Sequence, residues 1–128
     1  MIVLDASVLI AYLDGDDNHH VAAETLLAGA VDDDIGANSL TLAEVLVAPV
    51  RDGLLATAQT AFRDLELVEL PFPAATAVRL AQLRVSTGLK MPDCCVLLAA
   101  LEAQATVASF DNRLGQAAQD HHLPVLSG

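Results

Sequence analysis

Ile2-Val3-Leu4-Asp5-Ala6-Ser7 decides how this chain is read. Three consecutive apolar residues form a short strand buried in a sheet, and an acid closes it at once. Ser7 then supplies a hydroxyl able to cap a helix running to residue 13. Strand, acid and helix start recur near the far end, where Thr106-Val107-Ala108-Ser109-Phe110 predicts a strand ending at Asp111.

Between these two units, strand-like and helix-like patterns alternate, which predicts an α/β domain with a mainly parallel sheet. Residues 14–18 read as a loop, and a helix over 20–30 puts Ala23, Leu26, Leu27 and Ala30 on one face. Asp32-Asp33-Asp34 breaks it before a second strand at 35–37. Thr41 starts a helix carrying Glu44, which Pro49 ends or redirects, and a further helix covers 53–64. Residues 65–70 alternate imperfectly, as an edge or third strand does. Pro73 opens a helix continuing to Thr87 and closed by Gly88. Pro92 sits in the first turn of another helix reaching about residue 104. After the fourth strand, a last helix runs to about His121, and 124–126 form a possible edge strand. No repeat, low-complexity tract or linker interrupts the pattern, so residues 1–128 read as one domain.

Composition narrows the function. Apolar residues make up 54% of the 128 residues and aromatics only 3%, so the core is aliphatic and base stacking cannot be the main recognition device. The apolar run from Cys94 to Leu101 is too short to span a membrane. No basic stretch with a cleavage site opens the chain, so no signal peptide is expected. Cys94 and Cys95 are neighbours and cannot form an ordinary disulfide, which fits reduced thiols in a cytoplasmic setting. No zinc-ligand spacing is present. A net charge of −11 argues against nucleic acid as a partner, because an even negative field repels phosphate. Divalent ions among clustered acids, or a few of the six basic residues near a site, offset that objection; the acidity also suits a basic partner protein.

Asp5, Glu44, Asp93 and Asp111 each stand where a strand-like run meets a helix start or in a helix's first turn. In an open parallel sheet such junctions gather beyond the carboxyl ends of the strands, where ligands bind. Four carboxylates there repel one another unless a cation lies between them, which points to a divalent-metal site and a metal-dependent hydrolase. Oxygen donors suit Mg²⁺ or Mn²⁺, ions that activate water and steady charge on phosphate. Three of the acids also have a plainer reading. Glu44 can close a capping box with Thr41, Asp93 can complement a helix dipole, and Asp111 can be an N-cap. Asp5 resists such an account, since no cap or surface role obviously requires it.

The stretches Asp5-Ala6-Ser7, Thr41-Leu42-Ala43-Glu44, Met91-Pro92-Asp93 and Ser109-Phe110-Asp111 resemble, in order and spacing, the motifs of the PIN-domain family. The resemblance covers essentially the whole chain, and at this length the chain is similar to a VapC-type toxin of a toxin–antitoxin pair. It implies a three-layer α/β/α sandwich, a Mg²⁺- or Mn²⁺-dependent endoribonuclease acting on RNA, and a homodimer neutralised by a VapB-type antitoxin. Carried over by position, it makes Asp5, Glu44, Asp93 and Asp111 the metal ligands and catalytic acids, with Glu44 helping to deprotonate the attacking water. Ser7 and Ser109 then orient the carboxylate or a metal water; Ser109 stands where the family often has Thr, and Leu114 where an aromatic is common. The fourth acid varies within the family, which makes Asp111 the least secure ligand.

Lys90 and Arg113 flank two of these acids and are candidates for holding RNA phosphate, with Arg84 more distant; solvated surface cations are the plainer reading. His19-His20 and His121-His122 read as exposed polar pairs, and the cysteines as small hydrophobes. Two other functions remain open: a catalytically silent interaction module with an acidic face, and a metal-dependent phosphatase. Against the aspartyl-phosphate form of the latter, Ser7 occupies the place where a second Asp is usual.

Overall fold

Side-chain alternation along the strands divides the core of this protein in two. The computed structural model describes residues 1–127. The chain runs β1 (Ile2–Leu4), α1 (Ala6–Leu13), α2 (His20–Gly29), β2 (Ile35–Asn38), α3 (Ser39–Arg51), α4 (Leu55–Asp64) and β3 (Val68–Leu70). It continues through α5 (Thr76–Thr87), α6 (Met91–Ala103), β4 (Thr106–Ala108), α7 (Asn112–Asp120) and β5 (Val125–Leu126). All strand pairs are parallel, in the order β3-β2-β1-β4-β5. Ile2, Leu4, Ile35, Ala37 and Ala108 face a cluster with Val8 and Leu9 of α1, Leu27 of α2 and Val45 of α3. Val3 and Val107 face the other way, onto Leu83 of α5, Leu97 and Leu98 of α6, and Leu114 of α7. Helices thus cover both faces of a parallel sheet, the three-layer α/β/α sandwich expected from the sequence.

The most buried helix is α6: Cys94 through Leu98 and Ala100 are all buried. A helix apolar on nearly every side is stable only inside a domain, and each large side chain there contributes about 1.5–3 kcal/mol of burial. Its position matters for function, because burying the body of α6 fixes where its first turn, with Asp93, meets the sheet edge. Just before it, Gly88 closes α5 in the left-handed region at φ 73°, its N–H donating to the Arg84 carbonyl. Any side chain there is strained, so the turn that aims α6 depends on glycine.

Several boundaries differ from the sequence reading for identifiable reasons. Ser7 does not cap α1; Asp5 holds the N-cap position and Ser7 lies inside the helix. Thr41 does not start α3, which begins at Ser39 because Asn38 caps it, accepting from the Thr41 N–H at 2.9 Å. Pro49 neither ends nor starts a helix but lies inside α3, two residues from its end, where it forfeits one backbone hydrogen bond. Pro73 precedes α5 by a turn: Thr76 Oγ1 donates to the Pro73 carbonyl, and Ala75 at φ 58° sets the entry. The third and fourth strands are shorter than expected, and the edge strand β5 is present, paired to β4. Among the described residues no helix is long and apolar enough to cross a membrane.

Candidate functional site

From β1 the chain works outward to β2 and β3 on one side, then crosses back to β4 and β5 on the other. The strand order therefore reverses between β1 and β4, and the crevice beyond their carboxyl ends is where such a sheet binds ligands. Asp5 lies there, 6% exposed. It holds the N-cap position of α1 yet makes no cap hydrogen bond. Its carboxylate instead accepts two hydroxyl protons on the same oxygen: Ser7 Oγ at 2.8 Å and Ser109 Oγ at 2.7 Å from Oδ2. Each hydroxyl in turn accepts a backbone N–H of the loop after β4, Ser7 from Phe110 at 3.2 Å and Ser109 from Asp111 at 2.9 Å. Two serine relays thus bind the β1–α1 and β4–α7 junctions to one carboxylate. Oδ1 takes part in neither, so the oxygen left over is the one available to a ligand.

Asp93, third residue of α6, is the acid whose chemistry is most disturbed. Its pKa is raised to about 6, first by burial and then by the negative charges of Asp5, Asp111 and Glu44, with Lys90 opposing. The charges of the other three acids of the sequence reading all act on Asp93. Glu44 stands in the second turn of α3, exposed. With Asn38 as the cap, Glu44 is six residues into the helix and outside the reach of a capping box, so its plainer reading falls away. Asp111 keeps its plainer reading. It caps α7, accepting from the Arg113 N–H at 2.8 Å and the Leu114 N–H at 3.3 Å, while its charge still reaches Asp93.

Asn38 is a feature the sequence reading missed. Continuing the β1–β2 register sets it abreast of Asp5. It is 1% exposed, and its Nδ2 has no hydrogen-bond partner. An Asn directly between an apolar strand and a helical run is a legible cap signal; the stranded amide beside Asp5 has no sequence signature.

Three of the basic residues surround the α5–α6 turn. Arg84 donates to the Gly88 carbonyl at 3.0 Å and the Leu89 carbonyl at 2.5 Å, and Arg113 reaches Gly88 O at 3.5 Å. Lys90 is exposed one residue on, close enough to Asp93 to favour its ionised form. Arg51 and Arg79, by contrast, pair with Asp52 and Glu102. The histidines divide. His20 joins two helices, its Nδ1 2.7 Å from the Ala11 carbonyl and its Nε2 3.1 Å from Glu24. His121 Nδ1 sits 2.9 Å from the Ala117 carbonyl. His19 stacks on Phe110, which the sequence did not foretell. Cys94 and Cys95 are buried and free, and burial pushes both thiols up, as for inert core residues.

Among the described residues no three His, Cys, Asp or Glu side chains form a ready cage for an ion. The donor set nevertheless fits Mg²⁺ or Mn²⁺. It offers carboxylate oxygens alone, Lys90 only partly offsets their mutual repulsion, and such ions need only one or two direct carboxylates and keep water in their other positions.

A family model described as PIN domain matches residues 2–120. No curated protein sequence matches the chain. Among solved structures, a toxin–antitoxin complex from Klebsiella pneumoniae superposes with a TM-score of 0.79 at 18% identity, over 99% of this chain and 97% of the other. FitAcB from Neisseria gonorrhoeae gives 0.75 at 23% identity, over 99% and 97%. VapC20 from Mycobacterium tuberculosis, a toxin that cleaves the sarcin–ricin loop, gives 0.74 at 18% identity, over 91% and 95%. These identities establish a shared fold.

Proposed function

The chain belongs to the PIN-domain family, and from that premise we propose that it is a metal-dependent endoribonuclease, the toxin of a VapBC-type pair. The observation that carries this reading is Asp93 at the reversal point of the sheet, where burial first and then the charges of Asp5, Asp111 and Glu44 raise its pKa to about 6. A carboxylate so placed would lose its proton to solvent when a divalent cation bound, because the positive charge would offset both its burial and the neighbouring negative charges.

In this reading Asp5, Asp93, Glu44 and Asp111 hold Mg²⁺ or Mn²⁺, directly or through water, and the ion supplies an activated water and a counter-charge for the phosphate. Asp5 presents Oδ1 because Ser7 and Ser109 occupy Oδ2. Glu44, exposed and outside any cap, receives the proton of the attacking water. Lys90 and Arg113 hold the flanking phosphates of the RNA against the repulsion of an acidic chain, while Arg84 braces the α5–α6 turn. The partners follow the same logic. A groove of about 400 Å³ lined by Ile10, Leu13, Pro49 and Leu54, with Asp14, Glu44 and the paired Arg51 and Asp52 among its other residues, keeps two unpaired acids for an apolar, basic segment of a VapB-type antitoxin. Val78 and Val85, both exposed on α5, offer apolar surface to a second copy in a homodimer.

The test is incubation with RNA in Mg²⁺, Mn²⁺ or chelator, followed by analysis of the ends. Cleavage that needs metal and leaves 5′-phosphate and 3′-hydroxyl termini is expected. Metal-free cleavage leaving 2′,3′-cyclic phosphate overturns the mechanism. Absence of any cleavage, with melting unchanged by metal, favours a catalytically silent module; turnover of a generic phosphomonoester in place of RNA favours a phosphatase.

A further inference from the structure

The imidazole of His19 stacks on the ring of Phe110, with centroids 4.9 Å apart and planes 17° from parallel. Phe110 is the residue between Ser109 and Asp111, and its own N–H donates to Ser7, so its backbone is part of the Asp5 relay. Of the four aromatic residues, Tyr12, Phe62 and Phe110 pack against the core and Phe72 follows the edge strand β3. Phe110 is the one among them that neighbours an acid of the site, Asp111, in sequence. His19 lies over Phe110 from the loop between α1 and α2, and it is held from several directions. Its N–H donates to Asp17 Oδ1 at 2.8 Å, the same oxygen lies 3.8 Å from its Nδ1, and its carbonyl accepts the Ala23 N–H at 2.8 Å. Despite these constraints, 60% of the His19 side chain is exposed. Phe110 covers one face of the ring, so that exposure leaves the other face open to solvent.

A flat π-surface fixed in place, open on one side and seated on the residue that precedes Asp111, is what an unstacked nucleobase needs. Such a contact supplements the few phosphate-binding cations without making stacking the main recognition device. At a net charge of −11 the chain gains little from general attraction to phosphate, and every base offers a π-face whatever its sequence.

We propose that His19, supported by Phe110, is a stacking shelf for the nucleobase beside the scissile phosphate. The proposal rests on the endoribonuclease reading above. In a duplex the base stays within its own stack and cannot reach the shelf.

The test uses the full chain with an oligoribonucleotide whose cleavage site has been mapped, and a matched one with abasic riboses on both sides of that site. With the base-bearing RNA, His19→Ala raises KM about tenfold and leaves kcat within roughly twofold, while His19→Phe restores KM. With the abasic RNA, wild type and His19→Ala behave alike. A second measurement places 2-aminopurine beside the mapped bond and follows its fluorescence on binding; quenching by wild type and its loss in His19→Ala are expected. Equal KM and equal quenching in the two proteins overturn the shelf, as does an equal loss of rate on both RNAs. Should wild type cleave no RNA, the nuclease reading fails by itself. A 2-aminopurine placed in a single-stranded loop then still decides whether His19 stacks a base.

Discussion

Ser109 donates its hydroxyl proton to Asp5 Oδ2 at 2.7 Å across 104 positions of sequence, and the same oxygen atom of Ser109 accepts the Asp111 N–H at 2.9 Å. One hydroxyl therefore fixes the orientation of the most buried acid and the path of the chain toward another. Ser7 repeats the arrangement with Phe110. Both bonds fall on one carboxylate oxygen, so the pair acts as a clamp that turns the other oxygen outward.

Ser109→Ala removes a hydrogen bond to a charged group and strands the Asp111 N–H, a loss of about 1.5–3 kcal/mol in stability. Its effect on the metal should be larger than its effect on the fold. Loss of a residue that orients a ligand lowers metal affinity roughly 10–100-fold. Calorimetric titration with Mn²⁺ should show that fall in Ser109→Ala and near-normal binding in Ser109→Thr. Equal affinities in all three proteins would remove the clamp from the metal site.

Asp93 gives a pH dependence with a definite sign. Its folded pKa, about 6, lies above its ordinary value of 3.8, so between those values the folded protein holds a proton that the unfolded chain has released. Without metal, this group's contribution is fully present below about pH 4 and is lost as pH rises through 6. Asp93→Asn abolishes that slope. Because Asp93 is partly exposed, the variant should gain only about 1 kcal/mol over wild type at pH 7 in chelator. Denaturant titrations at pH 4.5 and 7 measure it. The same substitution should abolish cleavage, so stability and activity move in opposite directions.

Glu44→Gln separates two roles that the sequence leaves entangled. Exposed and outside the cap, Glu44 should be replaceable with a stability change within about 0.5 kcal/mol. Activity should fall by at least 100-fold if its carboxylate takes the proton. Thermal melting beside a cleavage assay decides; a melting drop that tracks the activity loss would return Glu44 to a structural role.

The Thr41–Glu44 pattern shows where the sequence stopped being legible. A capping box is a local signal, and Thr41-x-x-Glu44 fits it, but the strand before it ends at Asn38 and hands the cap to that residue. Local pattern carried the rest of the element order well, because each apolar strand is followed by a polar break and a helix. It set Asp5 at the start of α1 and Asp93 in the first turn of α6 for the same reason, since both follow a break in the apolar pattern. What it could not supply was contact between distant segments. The two serine relays, the stack of His19 on Phe110 and the return of Arg84 and Arg113 to Gly88 all depend on how layers pack. No spacing along the chain encodes them.

Asp111 is both an N-cap and one of the charges acting on Asp93, and two substitutions divide the roles. Asp111→Asn keeps an excellent capping side chain and removes the charge, so stability should hold within about 0.5 kcal/mol. Asp111→Ala loses both and should cost about 1 kcal/mol. If both variants lower Mn²⁺ affinity equally, the charge matters to the metal. If only Asp111→Ala loses activity, Asp111 serves by shaping the first turn of α7.

Lys90 and Arg113 should both contact phosphate, yet only Lys90 acts on Asp93. Alanine at either position should weaken RNA binding and reduce the dependence of log affinity on log salt by about 1, without moving the cleavage site. The pH profiles should then differ. Removing the Lys90 charge leaves Asp5, Asp111 and Glu44 unopposed, so the Asp93 pKa rises and the acid limb of the cleavage profile shifts to higher pH. Arg113→Ala should leave that limb in place. Binding isotherms at several salt concentrations, with rates measured between pH 5 and 8, test both halves. Matching acid limbs in the two variants would detach Lys90 from Asp93. An unchanged salt slope would take these cations out of the RNA path.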